Sequence, residues 1–516
     1  MVFIVNLIVF ILVLGIIILL HELGHFYVAK KIGVLVHEYA IGMGPALYQR
    51  KKGETTYSLR VIPIGGYVSL AGEDNNDALI SIGDTVGLRL NNKNEVVGIV
   101  LDNNLERDVL GKVLSYEMFD PQEAGLFIEL EDEVQEITRY QVLADARYYY
   151  GKQKELQIAP KERSLNSKPK WQRFLVMFAG PFMNFVLAFF LFFLVAAIVG
   201  KPVNEALVKK TTAGGALEDI TETNFTIESI NNINVNTWDE MVIEVQKYPG
   251  QEMIVKIADH TPIIINTRVD INLLGISNVG REEDQLVIGQ TFGVAAKSKL
   301  ATGDKIVKIN DISVSTWEEL VTVVDEMIQN KEIIQDKISI TYERDSELID
   351  EPAEYKIIPA KTLKGQGIEP VQVLLGVERA TKFNLGYAFG QGFVQIGINT
   401  AQIFRVLGGL FTPKTSGISV SDLAGPIGIF NLVGQVRAGG FVAVISFMAF
   451  LSVNVALINL LPIPALDGGR IVMLGIEAVT RRPLNRKVET WMYNITFILL
   501  MVLFVFVMIF DILRLF

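Results

Sequence analysis

The sequence predicts an α-helical polytopic membrane protein. It has four transmembrane helices, a membrane-associated β element, a cytoplasmic mostly-β insertion and two repeated extracytoplasmic α+β domains. Half of the 516 residues are hydrophobic against 20% charged, too apolar for an ordinary soluble chain. The apolar residues gather in runs long enough to cross roughly 30 Å of hydrocarbon. A segment beginning at Ile227 recurs at Ile306, between the second and third of these runs. The net charge of −10 argues against nucleic acid as a partner. With no cysteine, disulfides, thiolate catalysis and Cys-ligated metals are excluded. Any chemistry that needs imidazole must use His21, His25, His37 or His260.

Taken in order, residues 1–31 read as the first transmembrane helix. Met1–Leu20 is broken only by Asn6 and Gly15, and it lacks the basic leader and small-residue cleavage site of a signal peptide. Residues 36–75 carry short β-like runs, such as Thr56–Ile62 and Tyr67–Leu70, interrupted at Gly42–Pro45 and Gly65-Gly66. Residues 76–165 form the acidic β-rich insertion, with a hairpin turn at Asn91–Asn94 and no pattern that points to chemistry. The second span covers 172–199. The repeated domains occupy 200–272 and 273–380. Residues 383–440, studded in their first part with Gly, Gln and Asn, read as an amphipathic region lying in the interface, with a fifth span as the other reading. The third and fourth spans cover 441–469 and 490–512, Trp491 and Tyr493 forming an interfacial belt. Basic residues follow the first span (Lys30, Lys31, Arg50–Lys52), precede the second (Lys161–Arg173) and separate the third from the fourth (Arg470–Lys487). The positive-inside rule therefore places 31–173 and 470–490 in the cytoplasm, and 200–440 and both termini outside.

Ile227–Val242 aligns without gaps to Ile306–Val321, identical at 9 of 16 positions. Each copy reads as strand, turn, strand, then a helix opened by Thr237-Trp238 or Thr316-Trp317. The second copy is preceded by Ala295-Ala296 and Leu300–Lys305. It resembles a PDZ domain of the circularly permuted bacterial type, and the first copy resembles a more divergent one. A PDZ fold would bind an extended peptide as an added strand; a plain spacer or steric shield is the competing reading.

The sharpest local pattern is His21-Glu22-Leu23-Gly24-His25 at the inner end of the first span. Positions i and i+4 share a helix face, so both imidazoles can reach one ion, and Glu22 stands next to it as a candidate base for a bound water. Three ionisable groups beside a hydrophobic run would be costly without such a purpose. Zinc (Zn2+) would need a third protein ligand. The metzincin extension is absent, since Val28 and Lys31 occupy its Gly and His positions. His260 falls on the wrong side and His37 in a β segment, which leaves a carboxylate embedded in another span. Asp467, read as ending the third span at the same depth, supplies it.

HELGH in the first span together with Asn459–Gly469 (NLLPIPALDGG) in the third resembles the site-2 protease family of intramembrane zinc metalloproteases. The PDZ-like pair resembles its bacterial regulator-of-sigma-E-protease branch. The resemblance implies that His21, His25 and Asp467 hold zinc and that Glu22 is the general base. It implies that Asn454 and Asn459 hold substrate backbone. It also implies that the strand through Gly65, Gly66 and Tyr67 pairs with an unwound substrate. Ala179–Asn184 resembles the family's second-span motif; packing and kinking are the alternative roles for Asn184 and Pro181.

The expected activity is hydrolysis of peptide bonds within transmembrane segments of single-pass proteins, for instance an anti-sigma factor after a first cleavage, or signal-peptide remnants. The expected partners are a transmembrane helical substrate, the lipid bilayer and a peptide ligand of the PDZ-like domains. A non-enzymatic PDZ membrane scaffold is the alternative, and it expects no metal and no effect of Glu22→Gln. A membrane-anchored zinc peptidase for soluble substrates would need its histidines outside the bilayer, against the apolar run that leads into His21.

Overall fold

The computed structural model describes residues 2–72, 79–102, 104–120, 125–132, 134–151, 154–211, 217, 220–245, 247, 252–266, 274–277, 286–288, 290–291, 295, 298–329, 337–344, 347–349, 353–356, 375–411, 425–482 and 486–513. The chain divides into two compact units, Met1–Ile198 with Leu385–Phe516, and Val199–Asn384.

Helix α1 (Val2–Lys31) is apolar all round, apart from Asn6, until it reaches His21. Gly33, at φ +77°, ends it: Val34 N donates to Ala29 O at 2.9 Å and Gly33 N to Lys30 O at 3.1 Å, the crossed pair of a Schellman cap. Strands β1 (Val36–Lys52) and β2 (Thr55–Leu70) are joined by the two-residue turn Gly53-Glu54. Both strands fold back on themselves, at Gly42 (φ +84°) and Gly65 (φ +82°), a backbone region that side-chain-bearing residues avoid. Ala40 is therefore paired with Ser58 on one side and Tyr67 on the other. The result is a four-segment sheet with Gly66–Leu70 at one edge and Ala46–Lys52 at the other. Residues 73–75 of the expected β element lie outside the described residues.

The insertion closes on itself. Strands β3 (Thr85–Leu90), β4 (Val96–Val100), β5 (Val109–Glu117), β6 (Phe127–Glu131) and β7 (Ile137–Gly151) pair in the ring β4-β3-β5-β6-β7, and a parallel β4–β7 pairing completes it. Strand β8 (Lys154–Gln157) adds to β7. Leu88, Ile99, Val113, Ile128 and Tyr148 fill the barrel, and the β4–β7 pairing leaves the ring without an open edge among the described residues. The expected turn at Asn91–Asn94 is present, with Asn94 at φ +60°. The barrel is tied to the hairpin by charge. Lys51 pairs with Glu155, and Arg163 grips Glu54, with Lys30 of α1 at 3.7 Å from the same carboxylate. The Arg163 guanidinium, first among these, holds the Glu54 carboxyl down at about 2. Helix α2 (Lys170–Val199) follows, with Pro181 inside it.

In the second unit the two copies repeat in three dimensions. The first has strands Phe225–Ile230 and Ile233–Asn234, helix α3 (Trp238–Val245) and strands Glu252–Ile257 and Ile263–Asn266. The second has Lys305–Ile309, Ile312–Ser313, helix α4 (Trp317–Gln329), Lys337–Arg344 and Ala353–Lys356. Ile230 pairs with Ile233 as Ile309 pairs with Ile312. Asn231 and Asn310 hold the turns at φ +49° and +48°. The amide of each donates to the partner strand at 2.7 Å, while its side-chain oxygen accepts from the same residue's N–H. Trp238 and Trp317 are buried in separate cores. Leu375 and Val377 join the first core, and the strand Val377–Arg379 pairs with Leu207–Thr211. In sequence the second copy is thus inserted between Ile263–Asn266 and Val377–Arg379 of the first, a nesting that an end-to-end split at 272/273 does not contain. Ala296, part of the PDZ-like signature, lies outside the described residues.

The chain returns in helix α5 (Leu385–Phe411), which packs Phe389 and Phe393 against Phe189 of α2, ring centroids 5.3 and 4.6 Å apart. Helix α6 (Pro426–Ala438) leads through Gly440 into α7 (Gly440–Leu460). The third span ends at Leu460, not at 469. Pro462 has no N–H to continue the helix, and Asp467 instead opens a new helix, α8 (Asp467–Thr480). Helix α9 (Arg486–Leu513) closes the chain, its buried Asp511 accepting the N–H groups of Gly425 and Gly428 at the start of α6, at 3.2 and 2.8 Å. Among the described residues, four helices, α1, α2, α7 and α9, are long and apolar enough to cross a membrane. α5, of mixed polarity, is not among them.

Candidate metal centre

His21 and His25 come from adjacent turns of α1 and Asp467 from the first residue of α8, a separation of more than 400 residues closed by the fold. His21 Nε2 lies 3.2 Å and His25 Nε2 3.3 Å from Asp467 Oδ2, and the two Nε2 atoms are 3.3 Å apart. Donors about 2.0–2.1 Å from a tetrahedral ion stand about 3.3 Å from one another, so the triangle fits a first-row cation and leaves a fourth position open. Among the described residues these three form the one His/Asp/Glu group with metal-binding proximity.

Glycines make the convergence sterically feasible. Any Cβ on Gly24 would strike Ala179 O of α2, and any Cβ on Gly180 would strike the His25 ring. Gly468 and Gly469 meet the carbonyls of Leu460, Leu461 and Ile463, which lets α8 turn back sharply on the end of α7. Helix α2 also orients both rings. Val176 O lies 2.7 Å from His25 Nδ1 and the Asn184 amide 3.2 Å from His21 Nδ1. Pro181 sits between them, and lacking an N–H it leaves Met177 O without its helical donor just where α1 approaches most closely. Val176 and its carbonyl carry no side-chain signal in the sequence; Asn184 did carry one, as an amide in an otherwise apolar run.

Glu22 projects toward the β element. A Cβ on Gly66 would lie 3.1 Å from Glu22 Cγ and 2.9 Å from Ala40 O, so β2 crosses α1 directly over this carboxylate. Gly65 stands against Met43 at the bend. The Tyr67 hydroxyl donates to Glu38 at 2.7 Å and Arg60 to the same carboxylate at 2.7 Å, which commits the Tyr67 side chain to the sheet and leaves only its backbone for other uses. Burial alone would raise the Glu38 carboxyl, but hydrogen bonds from Ser58, Tyr67 and Arg60 outweigh it and hold Glu38 below the usual carboxylate value. Asn454 and Asn459 are half-buried on the last two turns of α7, the helix that leads to Asp467. His37 lies in β1, and His260 pairs with Glu222 at 3.1 Å.

The profile of Peptidase family M50 matches residues 9–503. The chain is 30% identical over 521 residues to the Regulator of sigma-W protease RasP of Bacillus subtilis, spanning 100% of both chains. It is 29% identical over 511 residues to the Zinc metalloprotease RasP of Bacillus licheniformis, covering 99% of each, and 29% identical over 517 residues to that of Shouchella clausii, again covering 99% of each.

Proposed function

The chain belongs to peptidase family M50, and from that premise we propose that it is a zinc metallopeptidase that cleaves within the transmembrane segments of single-pass membrane proteins. The observation that carries this reading is the convergence of His21, His25 and Asp467 beside Glu22, at the end of an apolar helix.

His21 and His25 through Nε2 and Asp467 through Oδ2 would hold the ion. Bound zinc supplies a Lewis acid for the scissile carbonyl and a water acidified toward neutrality. Glu22, one residue from His21, would accept the proton of the attacking water and return it to the departing amide nitrogen. Its side chain packs against Gly66, which supports a reacting bond lying along that strand. A transmembrane helix hides its carbonyls in its own hydrogen bonds and must be unwound first. The outer segment Gly66–Leu70 has no further strand partner among the described residues, so it can accept an unwound segment as an added strand that passes Glu22. The side-chain amides of Asn454 and Asn459, at the end of α7, would take the opposite side of that strand.

The basic residues flanking the spans support a cytoplasmic face at the metal end of α1. The nested modules, read as PDZ-like and extracytoplasmic, would then exclude substrates that still carry bulky outer domains. The Bacillus subtilis relative is named a regulator of sigma-W protease; for this chain we propose anti-sigma factors after a first cleavage as substrates, with signal-peptide remnants and pheromone precursors as further substrates of the same chemistry.

The test is to purify wild type and Glu22→Gln in detergent, measure zinc, and incubate each with a truncated single-span substrate. Both should hold one zinc per chain, and cleavage should fall at least 10³-fold in the variant. Equal cleavage by the two would refute the assignment of Glu22, and an absence of bound zinc in wild type would refute the metal reading.

A further inference from the structure

We propose that Asn184 is the positioning residue of His21: its amide oxygen accepts the Nδ1 proton of that ring, fixing Nε2 as the nitrogen presented to the metal. The inference rests on the zinc reading above and extends it to α2. Among the described residues, His21 Nε2 is the atom that faces Asp467 and His25, at 3.2 and 3.3 Å, so Nδ1 is the nitrogen on the far side. A neutral imidazole that ligates through Nε2 carries its proton on Nδ1, and whatever faces that proton must accept it. Asn184 is fully buried, its amide nitrogen Nδ2 is the atom placed 3.2 Å from Nδ1, and its Oδ1 is a buried oxygen with no hydrogen-bond partner among the described residues. A half-turn of the amide places that oxygen on the proton, satisfying both groups at once.

Two further contacts support the assignment. First, α2 treats His25 in the same way. Val176 O, which can only accept, lies 2.7 Å from His25 Nδ1 and leaves that ring's Nε2 free as well. Val176 and Asn184 are two helical turns apart on α2 and serve residues one turn apart on α1, so one rigid element sets the tautomer of both rings. Second, Asn184 is itself held in place. The Ser452 hydroxyl of α7 donates to Asn184 O at 2.8 Å, tying this turn of α2 to the helix that leads into Asp467.

Packing alone and orientation of His21 make different predictions for two substitutions. Asn184→Leu keeps the volume and removes the acceptor; Asn184→Asp keeps the volume and can only accept. Full-length protein carrying Glu22→Gln, to prevent self-cleavage, would be prepared in detergent with each substitution and with neither. Zinc affinity would be read by chelator competition, and the geometry of the site by the visible spectrum of the cobalt form. Asn184→Leu should weaken zinc by about 10–100-fold and alter the cobalt bands, while Asn184→Asp should stay within a few-fold of the parent. Parent-like affinity in Asn184→Leu, or equal losses in both variants, would overturn the proposal. If Asn184→Leu does not fold, Asn184→Asp decides alone: retained affinity supports an acceptor at this position and a loss of about 10–100-fold refutes it. A parent protein that binds no zinc would instead defeat the metal reading on which this inference rests.

Discussion

The meeting point of α1, α2 and α8 and the nested modules solve opposite problems. At the meeting point the surroundings are apolar, so each polar atom needs one specific partner, and those partners come from far along the chain: Val176 for His25, Asn184 and Asp467 for His21. Nothing there is duplicated. In the modules, stability is spread over an apolar core and a set of short-range contacts that occur twice. The Thr237/Glu240 capping box reappears as Thr316/Glu319, with the backbone N–H of Glu240 or Glu319 3.2 Å from the threonine hydroxyl in both. The contrast teaches that substitutions near the His21–His25–Asp467 cluster should act as switches, whereas those in the modules should be graded and roughly equal between copies.

The largest effect is expected at Gly180. Gly180→Val drives a branched side chain into the His25 ring, so stoichiometric zinc and substrate cleavage should both be lost while the barrel and modules stay folded; metal content and activity of the purified variant check it. Next come Trp238→Ala and Trp317→Ala. Each removes a buried indole and should destabilise its own module by about 3–5 kcal/mol, measured by hydrogen exchange on the full chain, with zinc retained. A loss confined to one copy would break the equivalence drawn here. Smaller still, Thr237→Ala and Thr316→Ala should each cost about 1 kcal/mol through the lost cap, and by similar amounts.

The smallest effect is a pH dependence outside both regions. Glu54 is held at about 2 by Arg163, against an ordinary value of 4.5. A depressed carboxyl contributes its stability in full above the unfolded value and loses it as pH falls toward the folded one. The clamp between α1, the hairpin and the barrel should therefore loosen between about pH 4.5 and 2, and Glu54→Gln should flatten that limb of an acid-unfolding curve.

Much of this was legible along the chain because it depends on local order. Apolar runs specify spans, an i,i+4 pair of histidines on a helix specifies a shared face, and a repeated strand–turn–helix pattern specifies two like modules, since periodicity and turn chemistry act over a few residues. The span boundaries near Lys31 and Val199, the turn at Asn91–Asn94 and the choice of Asp467 over His37 and His260 as the third member of the cluster all follow from such patterns together with depth in the membrane. Contacts between distant segments were not legible in the same way. That Asp467 opens a helix rather than ending one, that the insertion closes into a ring, that Leu375 and Val377 return to the first module, and that α2 supplies the partners of both histidines were decided only by folding. Each depends on which backbone carbonyls and glycines come within van der Waals contact once the helices pack, and pairwise proximity across hundreds of residues leaves no periodic trace in a single sequence.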